Sequence, residues 1–125
     1  MTENELSKKV IGAAIEVHRT LGPGLLEGVY EEALCYELKL NNIPYERQKY
    51  LPLDYKGTQL ETHYRIDLLV DKKIIIELKA REQIQAIDKA QLLTYLKLSG
   101  LKLGLLINFH EPLVKDGIIR IVNNL

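Results

Sequence analysis

Cysteine is nearly absent from this chain: Cys35 is the only one, so no internal disulfide can form and a reducing, cytoplasmic setting is expected. No apolar run approaches the length of a membrane span. The N-terminal Met-Thr-Glu-Asn-Glu lacks the basic, apolar and small-residue succession of a secretory leader. An excess of either charge is missing too, with 17 Lys and Arg against 17 Asp and Glu. That balance argues against tight, charge-driven binding of long nucleic acid, though a local basic groove beside an acidic site remains compatible with it. Neither a P-loop, a Rossmann glycine pattern nor a Ser-x-Gly elbow occurs. His63 and His110 have no partner at zinc-ligand spacing. What remains, in 125 residues of ordinary soluble composition, is one domain with a full core.

The element order follows from periodicity. Thr2 with Glu5 is a capping-box pattern, and Leu6, Val10, Ala13, Val17 and Leu21 continue it at helical spacing until Gly22-Pro23-Gly24. A second helix is expected over 25–40, ended by Asn41-Asn42 and Pro44. Strands are expected over 45–55, weakened by Pro52, then over 58–70 and 73–80, with Lys56-Gly57 as a turn. A helix over 84–99, a buried strand over 101–109 and a short strand over 118–122 complete the chain. A helix after the third strand implies a crossover to a parallel neighbour. The fold class is therefore α/β: a single domain, 1–125, with a mixed β-sheet flanked by helices. Cys35 lies in a helical apolar pattern and reads as a packing residue. His18, one turn beyond Ile15, reads as a hydrogen-bonded structural histidine.

The stretch Tyr64-Arg-Ile-Asp-Leu-Leu-Val-Asp-Lys-Lys-Ile-Ile-Ile-Glu-Leu-Lys79 carries three charges where strands should be apolar: Asp67, Glu77 and Lys79. Alternation puts Ile66, Leu68 and Val70 on one face of the first strand, and Ile74, Ile76, Leu78 and Ala80 on one face of the second. A two-residue turn would scatter the charges over both faces. An odd loop, Asp71-Lys72-Lys73, keeps the apolar faces together and sets Asp67 opposite Glu77 with Lys79 one step along. Facing carboxylates repel unless something offsets their charge, and a divalent cation such as Mg²⁺ or Mn²⁺ does so. Such an ion would polarise a phosphodiester and acidify a bound water, with Lys79 positioning that water or neutralising the phosphoryl oxygens. Arg65 and Arg81, close to this cluster in sequence, are the basic residues best placed to meet nucleic acid.

Asp67 followed by Glu77-Leu78-Lys79 on the next strand resembles the signature of the PD-(D/E)XK nuclease superfamily, with Ile66 where the nominal proline stands. Gly24-Leu-Leu-Glu27-Gly-Val-Tyr30 reads as G-x-x-E-x-x-Y. With Val17-His18-Arg19-Thr20-Leu21-Gly22-Pro23-Gly24 and Leu105-Leu106-Ile107-Asn108-Phe109, it resembles the small GxxExxY family placed in that superfamily. The resemblance covers about 10–122 and implies a restriction-endonuclease-like core. It also implies a third metal acid on the first core helix, Glu27 by the motif, with Glu31 one turn away. Gln91 and Tyr95, as Q-x-x-x-Y, match a pattern in which the glutamine stands near the catalytic centre, and Tyr95 is expected to meet nucleic acid; Asp88 shares that helix face. The expected substrate is nucleic acid, DNA ahead of RNA, and a homodimer would let so small a domain span a duplex. The competing expectation is a catalytically weak or inactive nuclease fold acting as a binding or regulatory module.

Overall fold

Thr2 caps the first helix in a computed structural model that describes residues Met1–Leu125. Its hydroxyl accepts from the Glu5 amide while the Glu5 carboxylate accepts from the Thr2 amide, so two otherwise unsatisfied donors are served. This helix, α1, spans Glu3–Leu21, and α2 spans Glu27–Leu40. Strand β1 covers Tyr45–Leu51 and stops at Pro52. The residues expected to extend it form instead a small hairpin, β2 (Asp54–Tyr55) and β3 (Thr58–Gln59), turning at Lys56-Gly57, both at positive φ. The strand expected over 58–70 is accordingly broken, and β4 runs only from Tyr64 to Val70.

Strand β5 (Ile74–Lys79), helix α3 (Ala86–Ser99), β6 (Leu103–Asn108), a 3₁₀ turn (Val114–Gly117) and β7 (Ile118–Val122) follow. The main sheet has the order β1-β4-β5-β6-β7, with β5 and β6 parallel and the other neighbours antiparallel. Helix α3 is the expected crossover. The chain is thus α/β with a mixed five-stranded sheet and helices on both faces. No helix is long and apolar enough to cross a membrane.

The two faces differ in weight. Helices α1 and α2 pack with Leu68, Val70, Ile74, Ile76, Leu78, Leu103, Leu105 and Ile107 into a cluster of 20 buried residues. Helix α3 covers the other face through a cluster of only 7, among them Leu92, Tyr95, Leu96, Ile75 and Leu106. By buried apolar area the first face supplies most of the stability. Gly104 lets α3 sit low on β6, since a Cβ there would stand 2.8 Å from a Leu92 methyl.

One expectation about faces fails. Ile66 and Tyr64 pack with the α3-side cluster, whereas Leu68 and Val70, of the same parity, pack on the α1/α2 side. Strand β1 changes sides at the same level: Tyr45 packs on the α1/α2 side and Leu51 on the α3 side. The change falls where Gln48 adopts a left-handed φ of 50° and drops out of the pairing, with Arg47–Leu68 and Lys49–Ile66 in one register on either side. A sharp local twist in the β1–β4 ribbon therefore rotates everything beyond it.

Candidate active site

The β4–β5 hairpin turns through Asp71-Lys72-Lys73, with Asp71 and Lys72 at positive φ. The odd loop sets the register Val70–Ile74, Leu69–Ile75 and Leu68–Ile76, so the next step opposes Asp67 and Glu77. The ladder stops there. The Asp67 amide donates to Glu77 Oε2 at 2.7 Å, and the Leu78 amide donates to Asp67 Oδ2 at 2.8 Å. Carboxylate–amide bonds take over from the paired ladder, which ends at Leu68–Ile76.

That arrangement costs electrostatic energy in the absence of a cation. Burial pushes the Glu77 carboxyl up to about 8, and the neighbouring Asp67 charge adds to it against the opposing backbone bond and Lys79. Asp67 is also raised, first by burial and further by Glu31, against the pull of the Leu78 amide and Lys79. Lys79 is half-buried on the same strand face as Glu77. Its charge favours ionisation of both carboxylates, yet it forms a close ion pair with neither.

The two candidate helix acids take different places. Glu27 is exposed in the first turn of α2, and its charge is among those that raise Glu77. Glu31 is buried at 7% exposure and already engaged. It accepts from Arg47 at 2.8 and 3.2 Å and from the Gln48 amide at 2.8 Å. The same Gln48 amide leans toward Asp67 Oδ1 at 3.5 Å. No set of three His, Cys, Asp or Glu side chains converges closely enough to hold an ion by itself. The Glu27 side chain, exposed on α2, stands apart from the Asp67–Glu77 pair while its charge reaches Glu77. The pair nonetheless fits a divalent ion: each carboxylate has a second oxygen not tied to a backbone amide, and cancelling the mutual repulsion is what a cation does there.

On α3, Gln91 is half-buried and Tyr95, one turn on, is 3% exposed. Tyr95 packs 5.1 Å from Tyr64, ring to ring, and burial pushes its hydroxyl up to about 12, with Glu77 contributing. It was expected to meet nucleic acid, but it lies in the stripe Asp88, Leu92, Tyr95, Leu96 that faces the sheet. Arg65 is exposed, donating to the Tyr50 hydroxyl at 2.8 Å with its guanidinium over that ring. Arg81 pairs with buried Asp88 at 3.2 Å, and Asp88 also accepts from the Gln85 amide. Cys35 is buried, and burial pushes its thiol up to about 11, which suits a packing residue and not a nucleophile.

Three polar residues near the pair went unnoticed in the sequence. Arg47 and Gln48 lie in a polar run on β1, and a run of four such residues in a strand beside Asp67 was the available signal. Asn108, 1% exposed at the end of apolar β6, bonds the Arg81 carbonyl at 2.8 Å and accepts from the Arg81 and His110 amides. It fixes the chain just past Lys79. Tyr30, the last residue of G-x-x-E-x-x-Y, donates to the Gly22 carbonyl at 2.6 Å and accepts from the Leu25 amide, so it anchors the loop that delivers Glu27.

A profile of the PD-(D/E)XK nuclease superfamily matches residues 4–121. The chain belongs to the PD-(D/E)XK nuclease superfamily. No curated protein and no solved structure matches it. The sheet order, the crossover helix and the position of Asp67 and Glu77 on adjacent central strands agree with a restriction-endonuclease-like core. Membership implies a nuclease-like function on nucleic acid, and PD-(D/E)XK nucleases generally use divalent metals.

Proposed function

We propose that this chain is a Mg²⁺- or Mn²⁺-dependent nuclease of the GxxExxY branch that hydrolyses phosphodiester bonds of DNA, or of RNA, at the open end of the β4–β5 hairpin. The supporting observation is the buried Asp67–Glu77 pair, each member bonded to the other strand's amide and both raised toward neutrality. A purely structural role would favour apolar residues here, because buried unpaired charges are costly. Asp67 and Glu77 would hold the ion, with exposed Glu27 contributing charge from α2 without a direct place in the pair.

A divalent ion held by Asp67 and Glu77 would supply positive charge to offset the two carboxylates and polarise the scissile phosphate. Lys79, free of a close ion pair, orients the attacking water through its ammonium hydrogens and balances charge on the phosphoryl oxygens. Gln91, half-buried on α3, is assigned a supporting role at the same site. Arg65 offers a guanidinium held by Tyr50 to the strand's phosphates, and Arg81 does so while tethered to Asp88. Tyr95 acts as an apolar wall with its hydroxyl kept protonated, in place of stacking on a base.

Two measurements on the same samples test this. Mn²⁺ is expected to raise the melting temperature of the wild type but not of Asp67→Ala, because only a native-state site gains from mass action. A panel of single- and double-stranded DNA and RNA oligonucleotides with Mg²⁺ or Mn²⁺ is expected to include one that the wild type cuts. Equal Mn²⁺ shifts in wild type and variant, or no cleavage across the panel, would overturn the reading.

A further inference from the structure

Helix α2 carries two apolar stripes, and the fold uses only one of them. Tyr30, Leu34, Cys35 and Leu38 are buried against the rest of the chain. On the opposite side Leu26, Val29, Ala33, Tyr36 and Leu40 follow one another at steps of three, four, three and four residues, the repeat of a coiled-coil seam. Leu26 is 80% exposed, Leu40 59% and Tyr36 60%, and Val29 is exposed with them. The outer side of a helix packed on a sheet is ordinarily polar, so a second stripe at this spacing calls for a partner helix. Leu21 of α1 borders it, leaving a groove of about 450 Å³ beside Ala33 and Tyr36.

The stripe is complementary to itself in one orientation. In an antiparallel pair with its two-fold axis level with the Leu34–Cys35 step, Tyr36 of one copy falls on Ala33 of the other, and Leu40 falls on Val29. The largest side chain thus meets the smallest. Glu32 and Lys39 lie together along one edge of the stripe, both exposed and neither in an ion pair within the chain. The antiparallel register sets Glu32 of each copy beside Lys39 of the other, an opposite-charge contact on either side of the axis. Along the other edge Glu37 falls opposite Tyr30, which is turned into its own core, so no like charges meet. A parallel pair fails on both counts: it sets Tyr36 on Tyr36 and Ala33 on Ala33, and it brings Glu32 against Glu37. We infer that the outer face of α2 is a self-association surface, on which a second copy of this chain docks antiparallel along Val29, Ala33, Tyr36 and Leu40. The inference uses neither the carboxylate pair nor a metal, and it stands whether or not the chain cuts nucleic acid.

The experiment is sedimentation equilibrium of the full chain in EDTA over a series of concentrations. A monomer–dimer equilibrium is expected with a Kd in the roughly micromolar range, that of a small interface. Tyr36→Lys alters an exposed side chain, so the dilute protein should keep its melting temperature while the Kd rises about a hundredfold. Glu32→Lys should weaken the dimer about tenfold, and adding Lys39→Glu should restore it, because exchanging the two charges rebuilds both contacts. Orientation is read by mild oxidation of an equimolar mixture of Val29→Cys and Leu40→Cys proteins. The mixed disulfide should form in preference to either homodimer, since only the unlike positions come within bonding range. A monomer throughout the series would leave the stripe to a different partner and overturn the inference. So would a dimer indifferent to Tyr36→Lys, a Glu32→Lys defect that Lys39→Glu does not repair, or Val29→Cys chains that cross-link to one another as readily as to Leu40→Cys.

Discussion

The two ends of the β4–β5 hairpin are made by the same two strands and follow opposite rules. Near the loop, Val70, Leu69 and Leu68 face Ile74, Ile75 and Ile76 in an unbroken ladder, apolar on both faces. One step further the backbone bonds give way to carboxylate–amide bonds, the ladder ends, and two acids share a buried site. The closed end is where sheet pairing and the larger core are strongest. The open end gives up both, and it is tolerable because the closed end and β6, parallel to β5 as far as Lys79, hold its geometry. Stability and the proposed chemistry thus fall at different ends of one element, which turns the contrast into experiments.

The largest contrast is in rate. Lys79→Ala at the open end should reduce cleavage by about 10²–10³-fold, as loss of a charge-balancing donor does. Melting of the metal-free protein should change by less than about 1 kcal/mol, because Lys79 is half-buried without a close partner. Ile74→Ala at the closed end should do the reverse. Ile74 is fully buried between Val70 and Leu103, so its truncation should cost about 2–5 kcal/mol in denaturant melts. Cleavage per folded molecule should stay near the wild-type value. If Ile74→Ala instead lost activity while fully folded, the two ends would not be separable.

Much of the closed end was legible in the sequence, because its rules are local. A three-residue loop fixes register by counting, and the Thr2–Glu5 capping box and the Gly22 stop at the end of α1 are short-range signals that appear where expected. The open end was legible only as far as the loop carries: it opposed Asp67 to Glu77. What surrounds the pair depends on contacts between distant segments. Strand β1 pairs with β4 only after the β2–β3 excursion, so neither the twist at Gln48 nor the side taken by Ile66 could be counted. The Glu31–Arg47 pair joins a helix to a strand, and it leaves Glu31 a buried, already engaged carboxylate. Tyr95 sits one turn from Gln91, but the apolar stripe through Leu92 and Leu96 turns it inward, which spacing to a glutamine does not reveal. His18 was expected to be hydrogen-bonded, yet its Nε2 has no partner.

A pH series exposes the cost of the open end directly. Glu77 is pushed up to about 8 from an ordinary 4.5, so at neutral pH the native state holds a proton that the unfolded chain releases. A raised carboxyl stabilises the fold fully below 4.5 and loses that contribution as pH rises through about 8. Asp67 shifts in the same direction. The metal-free protein should therefore become steadily less stable across this window, by several degrees in melting temperature, and Glu77→Gln should flatten the slope. Mn²⁺ should oppose it, because ligation favours the ionised carboxylates and tightens with pH. A metal-free wild type whose melting temperature rises over the same window would show that Glu77 is ionised in the native state, and the open end would lose its electrostatic strain.

The smallest effect locates the boundary between the two ends. Gln48 sits at the level where β1 and β4 change faces, in a left-handed conformation that costs a non-glycine residue on the order of 1–2 kcal/mol. Its amide is bonded to Glu31 and leans toward Asp67, which is what compensates that backbone. Gln48→Ala removes the amide and keeps the left-handed backbone, so it should destabilise by roughly 1–2 kcal/mol. Gln48→Gly removes the amide and relieves the backbone, and should lie within about 1 kcal/mol of wild type. The difference between the two variants, read from denaturant melts, is then the backbone strain less the extra folding entropy that glycine loses, because both lack the same side-chain bonds. If alanine and glycine proved equally stable, the strain at Gln48 would not exceed that entropy, and the end of the ladder would have to be attributed to the carboxylate pair by itself.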